Sequence, residues 1–179
     1  MNRLLSEIPY IEGDRLILKE VKDGDSDSLL ELVRNPKVYK YLPSGLFERK
    51  YDDIHCVIDK LYDMNTRESI ILGIFYNGEF CGLMELYGYN EITHKISVGY
   101  RLSERFWGQG IATEALKSVT SYLFDKTDIE IITASTMIGN HASEKVLHKN
   151  YFFLIAENVN ENWGYKHFTV TNKWIRHRI

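Results

Sequence analysis

The chain has 179 residues, with 22 Lys and Arg against 25 Asp and Glu, a formal net charge of −3 and 44% apolar residues. That length suits a single globular domain over residues 1–179, able to bury a core without a metal or disulfides. The slightly acidic balance argues against a protein built to hold nucleic acid, which carries a basic surplus.

Apolar Leu16 and Leu18 on one face predict a strand over residues 11–21. Asp23-Gly24-Asp25 reads as a turn, and Leu29, Leu32 and Val33 continue a helix that Asn35-Pro36 ends. After the aromatic segment Val38 to Leu42, residues 48–66 read as a second helix, with Ile54, Val57, Ile58, Leu61 and Met64 at helical spacing. The period then changes. Strands 69–76 and 79–87 flank Asn77-Gly78, the dipeptide that supplies both positive-φ positions of a type I′ hairpin turn. A third strand follows at 95–102, then a helix at 110–125, a strand at 129–137, a helix at 140–149, and a closing hairpin of 151–157 and 165–175 around Asn160-Glu161-Asn162. The order predicts an α+β fold with about four helices on a mixed, mostly antiparallel sheet of six to seven strands.

Several classes fall away. The longest aliphatic stretch, Ile70 to Phe75, is far short of the ~20 residues of a membrane helix. Met1 to Glu7 has no signal-peptide run. Cys56 and Cys81 stand without a CxxC spacing, and the six histidines form no metal motif. The expectation is a cytoplasmic protein with no membrane partner, no nucleic acid and no metal.

One segment carries chemistry: Val98-Gly99-Tyr100-Arg101-Leu102, then Ser103 to Gly110, then Ile111-Ala112-Thr113-Glu114-Ala115. It is a strand, a loop with Gly108 and Gly110, and a helix start. Glycines let backbone approach a ligand closely, and the first helical N–H groups have no partner inside the helix. Together they suit an anion, most naturally a phosphate. Taken alone, the segment reads equally as a tight strand–helix corner.

The segment resembles the acyl-CoA loop of the GNAT N-acetyltransferase superfamily, Q/R-x-x-G-x-G/A, and within it the ribosomal-protein (RimJ/RimL-like) branch. Gly99-Tyr100-Arg101-Leu102 and Trp107-Gly108-Gln109-Gly110-Ile111-Ala112-Thr113-Glu114-Ala115 carry that likeness. Asp14-Arg15-Leu16-Ile17-Leu18, Asn35-Pro36 and the stretch Asn140-His141-Ala142-Ser143 through Lys149 fall in the same order. The resemblance implies a parallel strand pair, 95–102 and 130–137, splayed to admit acetyl-CoA as cosubstrate. It implies contacts to the pantetheine arm from the backbone at Tyr100, Arg101 and Leu102, and to the pyrophosphate from Trp107, Gly108, Gln109, Gly110, Ile111, Ala112 and Thr113. Asn140 would bind the arm or cap its helix, two roles one side chain fills poorly together.

Direct acetyl transfer needs a neutral amine, donors for the oxyanion and stabilisation of the leaving thiolate. Ser143, by position, is a candidate for the thiolate or a solvated helix residue. Tyr151 stands where relatives have Gly, and either packs near the cleft or presents its phenol to the sulfur. Asn150 is expected to take the left-handed conformation in that glycine's stead. The resemblance implies a Glu, found in many relatives, where this chain has Ser97, and an Asp, often found, where it has Phe168. That leaves Glu85 as the candidate base, or a solvent-facing acid, with His141 and His167 as spares. An α-amine of pKa ~8 is roughly a tenth neutral at pH 7, and a lysine of ~10.4 about 0.04%. A site short of a strong base therefore suits a protein N-terminus or a weakly basic small amine. Segments 38–50 and 158–168 are expected to flank the mouth. The rival reading is a catalytically impaired CoA-binding sensor or scaffold, and a homodimer is compatible with either.

Overall fold

The computed structural model describes residues 7–63 and 68–179. The predicted features at 1–6 and at Met64 to Thr66 lie outside the described residues. The chain order is β1 (Ile11–Glu12), β2 (Leu16–Lys19), α1 (Ser26–Arg34), α2 (Ile54–Leu61), β3 (Ile70–Tyr76), β4 (Glu79–Asn90), β5 (Lys95–Leu102), α3 (Ile111–Lys126), β6 (Ile131–Met137), α4 (His141–Lys149), β7 (Phe153–Glu161) and β8 (Thr169–His177). The strands form one sheet in the order β1-β2-β3-β4-β5-β6-β8-β7.

Several boundaries differ from expectation, each for a local reason. The strand expected over 11–21 is two strands paired antiparallel, Ile11 opposite Leu18, so the count rises to eight. The helix expected from residue 48 begins only at Ile54. Asp53 caps it by accepting a hydrogen bond from the His55 amide at 3.0 Å, and Phe47–Arg49 form a separate 3₁₀ turn. The last hairpin turns later than expected. Asn160 and Glu161 still pair with Val170 and Thr169, and the chain reverses past them through Gly164 at φ +84°.

The sheet buries both faces. Ile96, Val98, Met84 and Leu86 pack with Leu116, Val119 and Leu123 of α3 and Leu147 of α4. Leu83, Ile71 and Phe75 pack on the other side with Leu29 and Leu32 of α1 and Val57 and Leu61 of α2. Because side chains alternate across a strand, neighbours in β5 serve different layers. Ile96 and Val98 face α3 and α4, and Arg101 faces the α1 and α2 side, where it meets Glu48.

Candidate active site

β5 and β6 run parallel and pair only through Lys95–Ile131, Ile96–Ile132 and Ser97–Thr133. At the last of these, Ser97 Oγ and Thr133 Oγ1 share a hydrogen bond of 2.8 Å. Beyond it β5 pairs only with β4 and β6 only with β8. The two strands part there, and a cleft of about 1480 Å³ opens between them. Its walls include Tyr100, Gly108, Gly110, Ser143 and Trp163.

At one end the chain leaves β5 through a 3₁₀ turn, Glu104–Phe106. The half-exposed Trp107 is held by its indole N–H, which donates to the Leu102 carbonyl at 2.9 Å. Gln109 donates to the Arg105 carbonyl at 2.7 Å. Gly108 and Gly110 both sit at positive φ, +73° and +77°, where a side chain costs ~1–2 kcal/mol. Gly110 is the N-cap of α3 and supplies no side chain to it. The amides of Ile111, Ala112 and Thr113 thus begin the helix without a side-chain cap, as a bound anion requires.

Arg15 also reaches this corner, and no motif reasoning had marked it as more than a landmark in an opening strand. Glu114 of α3 accepts from the Arg15 amide at 2.5 Å and from its Nε at 2.7 Å. The other side of the guanidinium lies by the loop, with Nη2 3.5 Å from where a Cβ on Gly110 would stand. The two residues are 99 positions apart, so only the fold brings them together.

Across the cleft, Asn140 caps α4, its Oδ1 accepting from the Ser143 amide at 3.3 Å. Of the two roles open to it, the cap is occupied. The Ser143 hydroxyl meets the Tyr100 hydroxyl at 2.9 Å. Burial pushes the Tyr100 phenol up to about 12, and the bond to Ser143 offsets this only in part.

An uncapped helix start, a glycine loop and a split parallel pair have a counterpart among known proteins. The model of the acetyltransferase (GNAT) domain matches residues 15–152. The chain belongs to the GNAT acetyltransferase family. It is an N-acetyltransferase, and acetyl-CoA is its cosubstrate. Two relatives are the Bacillus subtilis (strain 168) protein YdaF, named as a ribosomal N-acetyltransferase, and the Aspergillus fumigatus FsC-acetyl coenzyme A-N(2)-transacetylase. YdaF is 29% identical over 84 residues, 47% of this chain and 44% of that protein. The transacetylase is 34% identical over 151 residues, 78% of this chain and 63% of that protein. The chain thus spans under two thirds of either relative. Among solved structures, RimL, a ribosomal L7/L12 α-N-protein acetyltransferase, shares the fold at a TM-score of 0.79 and 20% identity, covering 99% of this chain and 98% of that one.

The remaining acetyltransferase candidates separate sharply. Glu85 lines the cleft, but both its oxygens are engaged: Ser69 Oγ donates to one at 3.1 Å and Arg101 Nη1 to the other at 2.8 Å. The Arg101 side chain does not enter the cofactor corner at all. It is buried between Glu85 and the fully buried Glu48, whose carboxylate accepts from Nη2 at 2.6 Å and from the Tyr39 hydroxyl at 2.9 Å. Burial would lower the Arg101 pKa, but Glu48 and Glu85 hold it above its ordinary value. Only the backbone of Arg101 is left to face a cosubstrate.

Tyr151 is 70% exposed and lies outside the cleft walls. It takes φ +60° itself, and its ring sits under the Arg176 guanidinium. The expectation that Asn150 would take that conformation is corrected. Asn150 stays at φ −100° because its buried amide is tied inward, donating to the carbonyls of Thr113 and Val146. His141 pairs with Glu144 on the surface, and His167 is exposed. Among the described residues, no histidine lines the cleft.

The mouth joins the two expected segments. The Ser44 amide donates to the Trp163 carbonyl at 2.8 Å, and the Tyr165 hydroxyl to the Leu42 carbonyl at 2.5 Å. Glu161, beside Trp163 on the cleft wall, is pushed up by burial, yet Lys173, Thr171 and Trp163 outweigh this and hold it below the usual carboxylate range.

Proposed function

We propose that the chain transfers acetyl from acetyl-CoA directly to an α-amino group, on a protein N-terminus or a small molecule, and that the acceptor arrives with its own neutral fraction rather than being deprotonated by a strong base. One observation carries this reading. The carboxylates lining the cleft are Glu68, Glu85 and Glu161, and two of the three are already bound to cations, Arg101 and Lys173. Glu68 is exposed at the mouth.

Cosubstrate binding in this reading falls to the Gly108–Thr113 backbone, with Arg15 alongside, and acetyl-CoA supplies the activated thioester. No acyl-enzyme is required. Cys81 is buried and burial pushes its thiol up to about 11, away from the thiolate form a nucleophile needs. The acceptor enters between the 37–46 and 161–164 walls.

The neutral fraction sets the selectivity. Between an α-amine and a lysine the difference at pH 7 is about 3 kcal/mol, more than a hundredfold. The test is kcat/KM at neutral pH for a peptide with a free N-terminus against the same peptide N-blocked and carrying a lysine. The free N-terminus is expected to win by about a hundredfold, with kcat/KM rising tenfold per pH unit until pH ~8. Equal or reversed preference would sink the reading.

A further inference from the structure

The hydrogen bond between Tyr100 and Ser143 joins β5 to α4 across the cleft, two residues 43 apart. Among the described residues, Ser143 Oγ is the only hydrogen-bond partner of the phenol. A phenol oxygen gives electron density to its ring, so it donates better and accepts worse than an aliphatic hydroxyl. The phenol is also neutral through the physiological range, since its buried position pushes it to about 12. Either hydroxyl could donate at this distance, and the chemistry of the two favours Tyr100 as donor and Ser143 as acceptor. The Ser143 amide is committed to Asn140. Its hydroxyl hydrogen has no protein acceptor among the described residues and is left to turn into the cleft. Neither end is free to drift, because Tyr100 sits in a paired stretch of β5 opposite Met84 and Ser143 in the capped first turn of α4.

We propose that Tyr100 is a positioning residue for the leaving group: by donating to Ser143 it aims the serine hydrogen at the sulfur that acetyl transfer releases. This rests on the acetyl-transfer reading above. In that reaction the amine lone pair forms the C–N bond to the carbonyl carbon. The C–S bond breaks with its electron pair on sulfur, the amine proton leaves to solvent, and the thiolate later takes a proton from solvent. A serine hydroxyl is a far weaker acid than an alkyl thiol near ~8.5, so its hydrogen stays on Ser143. What it gives is a hydrogen bond to a charged acceptor, which is stronger than one to a neutral acceptor. Tyr100 touches neither acetyl group nor amine and acts only through Ser143.

The test needs no acceptor. CoA binds as thiol or thiolate, and a donor at the sulfur favours the thiolate. The pKa of the bound CoA thiol, read from thiolate absorbance, is compared in the wild type, Tyr100→Phe, Ser143→Ala and the double variant. Lys145 and Lys149 of α4 line the same cleft, and Glu144 with His141 flanks it. These groups are unchanged in all four proteins, so the comparison isolates the hydroxyl pair. The wild type is expected to hold the thiol below its value in free CoA. Each single change should raise it by about one unit, a tenfold weaker preference for thiolate, and the double variant should be no worse than Ser143→Ala. Affinity for a thioether analogue of acetyl-CoA should move less than twofold. A merely structural role would lower Tm and leave the thiol pKa where it was. A wild-type thiol pKa equal to that of Tyr100→Phe, in proteins that bind the thioether, would overturn the proposal. Failure of the wild type to bind CoA at all would overturn the acetyl-transfer reading instead.

Discussion

Tyr100 and Arg101 are consecutive residues of one strand, and they face two different kinds of chemistry. On the α4 side Tyr100 makes a single neutral hydrogen bond to Ser143, next to the open cleft. On the α1 and α2 side Arg101 is locked between Glu48 and Glu85, with Tyr39 closing the network. The first site is uncharged and has a hydrogen to offer. The second is charged and saturated, apart from the buried Arg101 Nε, which has no hydrogen-bond partner among the described residues. The contrast separates function from architecture. The site proposed to meet the leaving group keeps an unspent donor, whereas a buried charge is tolerated only when its partners are fixed around it. Formally the ionic cluster carries two carboxylates against one guanidinium. With Arg49 stacked over the Tyr39 ring, a second guanidinium balances them, and the cluster joins the loop at 47–49 to the sheet.

The ionic side should break hardest. Glu48→Ala leaves Arg101 buried without its best partner, and such losses cost about 3–5 kcal/mol. Denaturant unfolding is expected to show that loss. A triple change of Glu48→Leu, Arg101→Met and Glu85→Leu should recover much of it, because a buried ionic cluster can often be replaced by apolar packing without penalty. Recovery of stability without recovery of activity would show that the cluster serves the acceptor wall. No loss in Glu48→Ala would mean that water reaches Arg101 and that the two sides differ less than their contacts suggest.

On the cofactor side the sharpest probe is Gly110→Val. Its φ of +77° costs any L-residue ~1–2 kcal/mol, and β-branching makes it worse. Calorimetry should show acetyl-CoA affinity falling at least tenfold, with the ionic cluster untouched. Retained affinity would mean that the loop backbone is not what holds the pyrophosphate.

Alkaline pH separates the two sides more gently. A phenol raised to about 12 in the fold, against its ordinary 10, contributes stability that is fully present below pH 10 and is lost as pH climbs to 12. Thermal melts should therefore fall across that window, and Tyr100→Phe should fall less steeply. Tyr87, also pushed to about 12 by burial, continues to titrate in the variant. Identical slopes in the two proteins would mean that the Tyr100 hydroxyl is solvated.

These two sides were not equally legible in the sequence. The α+β class, the Asn77-Gly78 hairpin and the strand–loop–helix with its glycines rest on local pattern: turn chemistry, period and an uncapped helix start, whereas the parallel pair was implied only by the family resemblance. The Glu48–Arg101 and Arg15–Glu114 pairs could not be read, because each joins residues more than 50 apart and nothing local marks a charged residue as buried. Arg101 was placed with the cofactor loop because its neighbours belong there. Strand alternation alone was enough to warn that its side chain must point opposite to that of Tyr100. Glu85 was read as a possible base because its neighbours are apolar, and that same burial is what recruits Arg101.

Tyr151 gives the smallest effect and the finest test of how sequence and geometry divide the work. The backbone there takes φ +60°, the left-handed region that favours glycine. Tyrosine in that conformation costs ~1–2 kcal/mol. Glycine in its place would give back ~0.5–1 kcal/mol through the entropy of the unfolded chain, and about 0.5 kcal/mol more through the lost contact with Arg176. The opposing effects nearly cancel, leaving Tyr151→Gly more stable by about 0.5 kcal/mol, a Tm gain of ~1–2 °C at this chain length. The ring lies outside the cleft, so acetyl-CoA affinity and kcat should stay within twofold of wild type. A large fall in kcat with unchanged Tm would return the phenol to the reaction. A fall in Tm of several degrees would instead show that the aromatic ring, rather than the backbone, decides what this corner prefers.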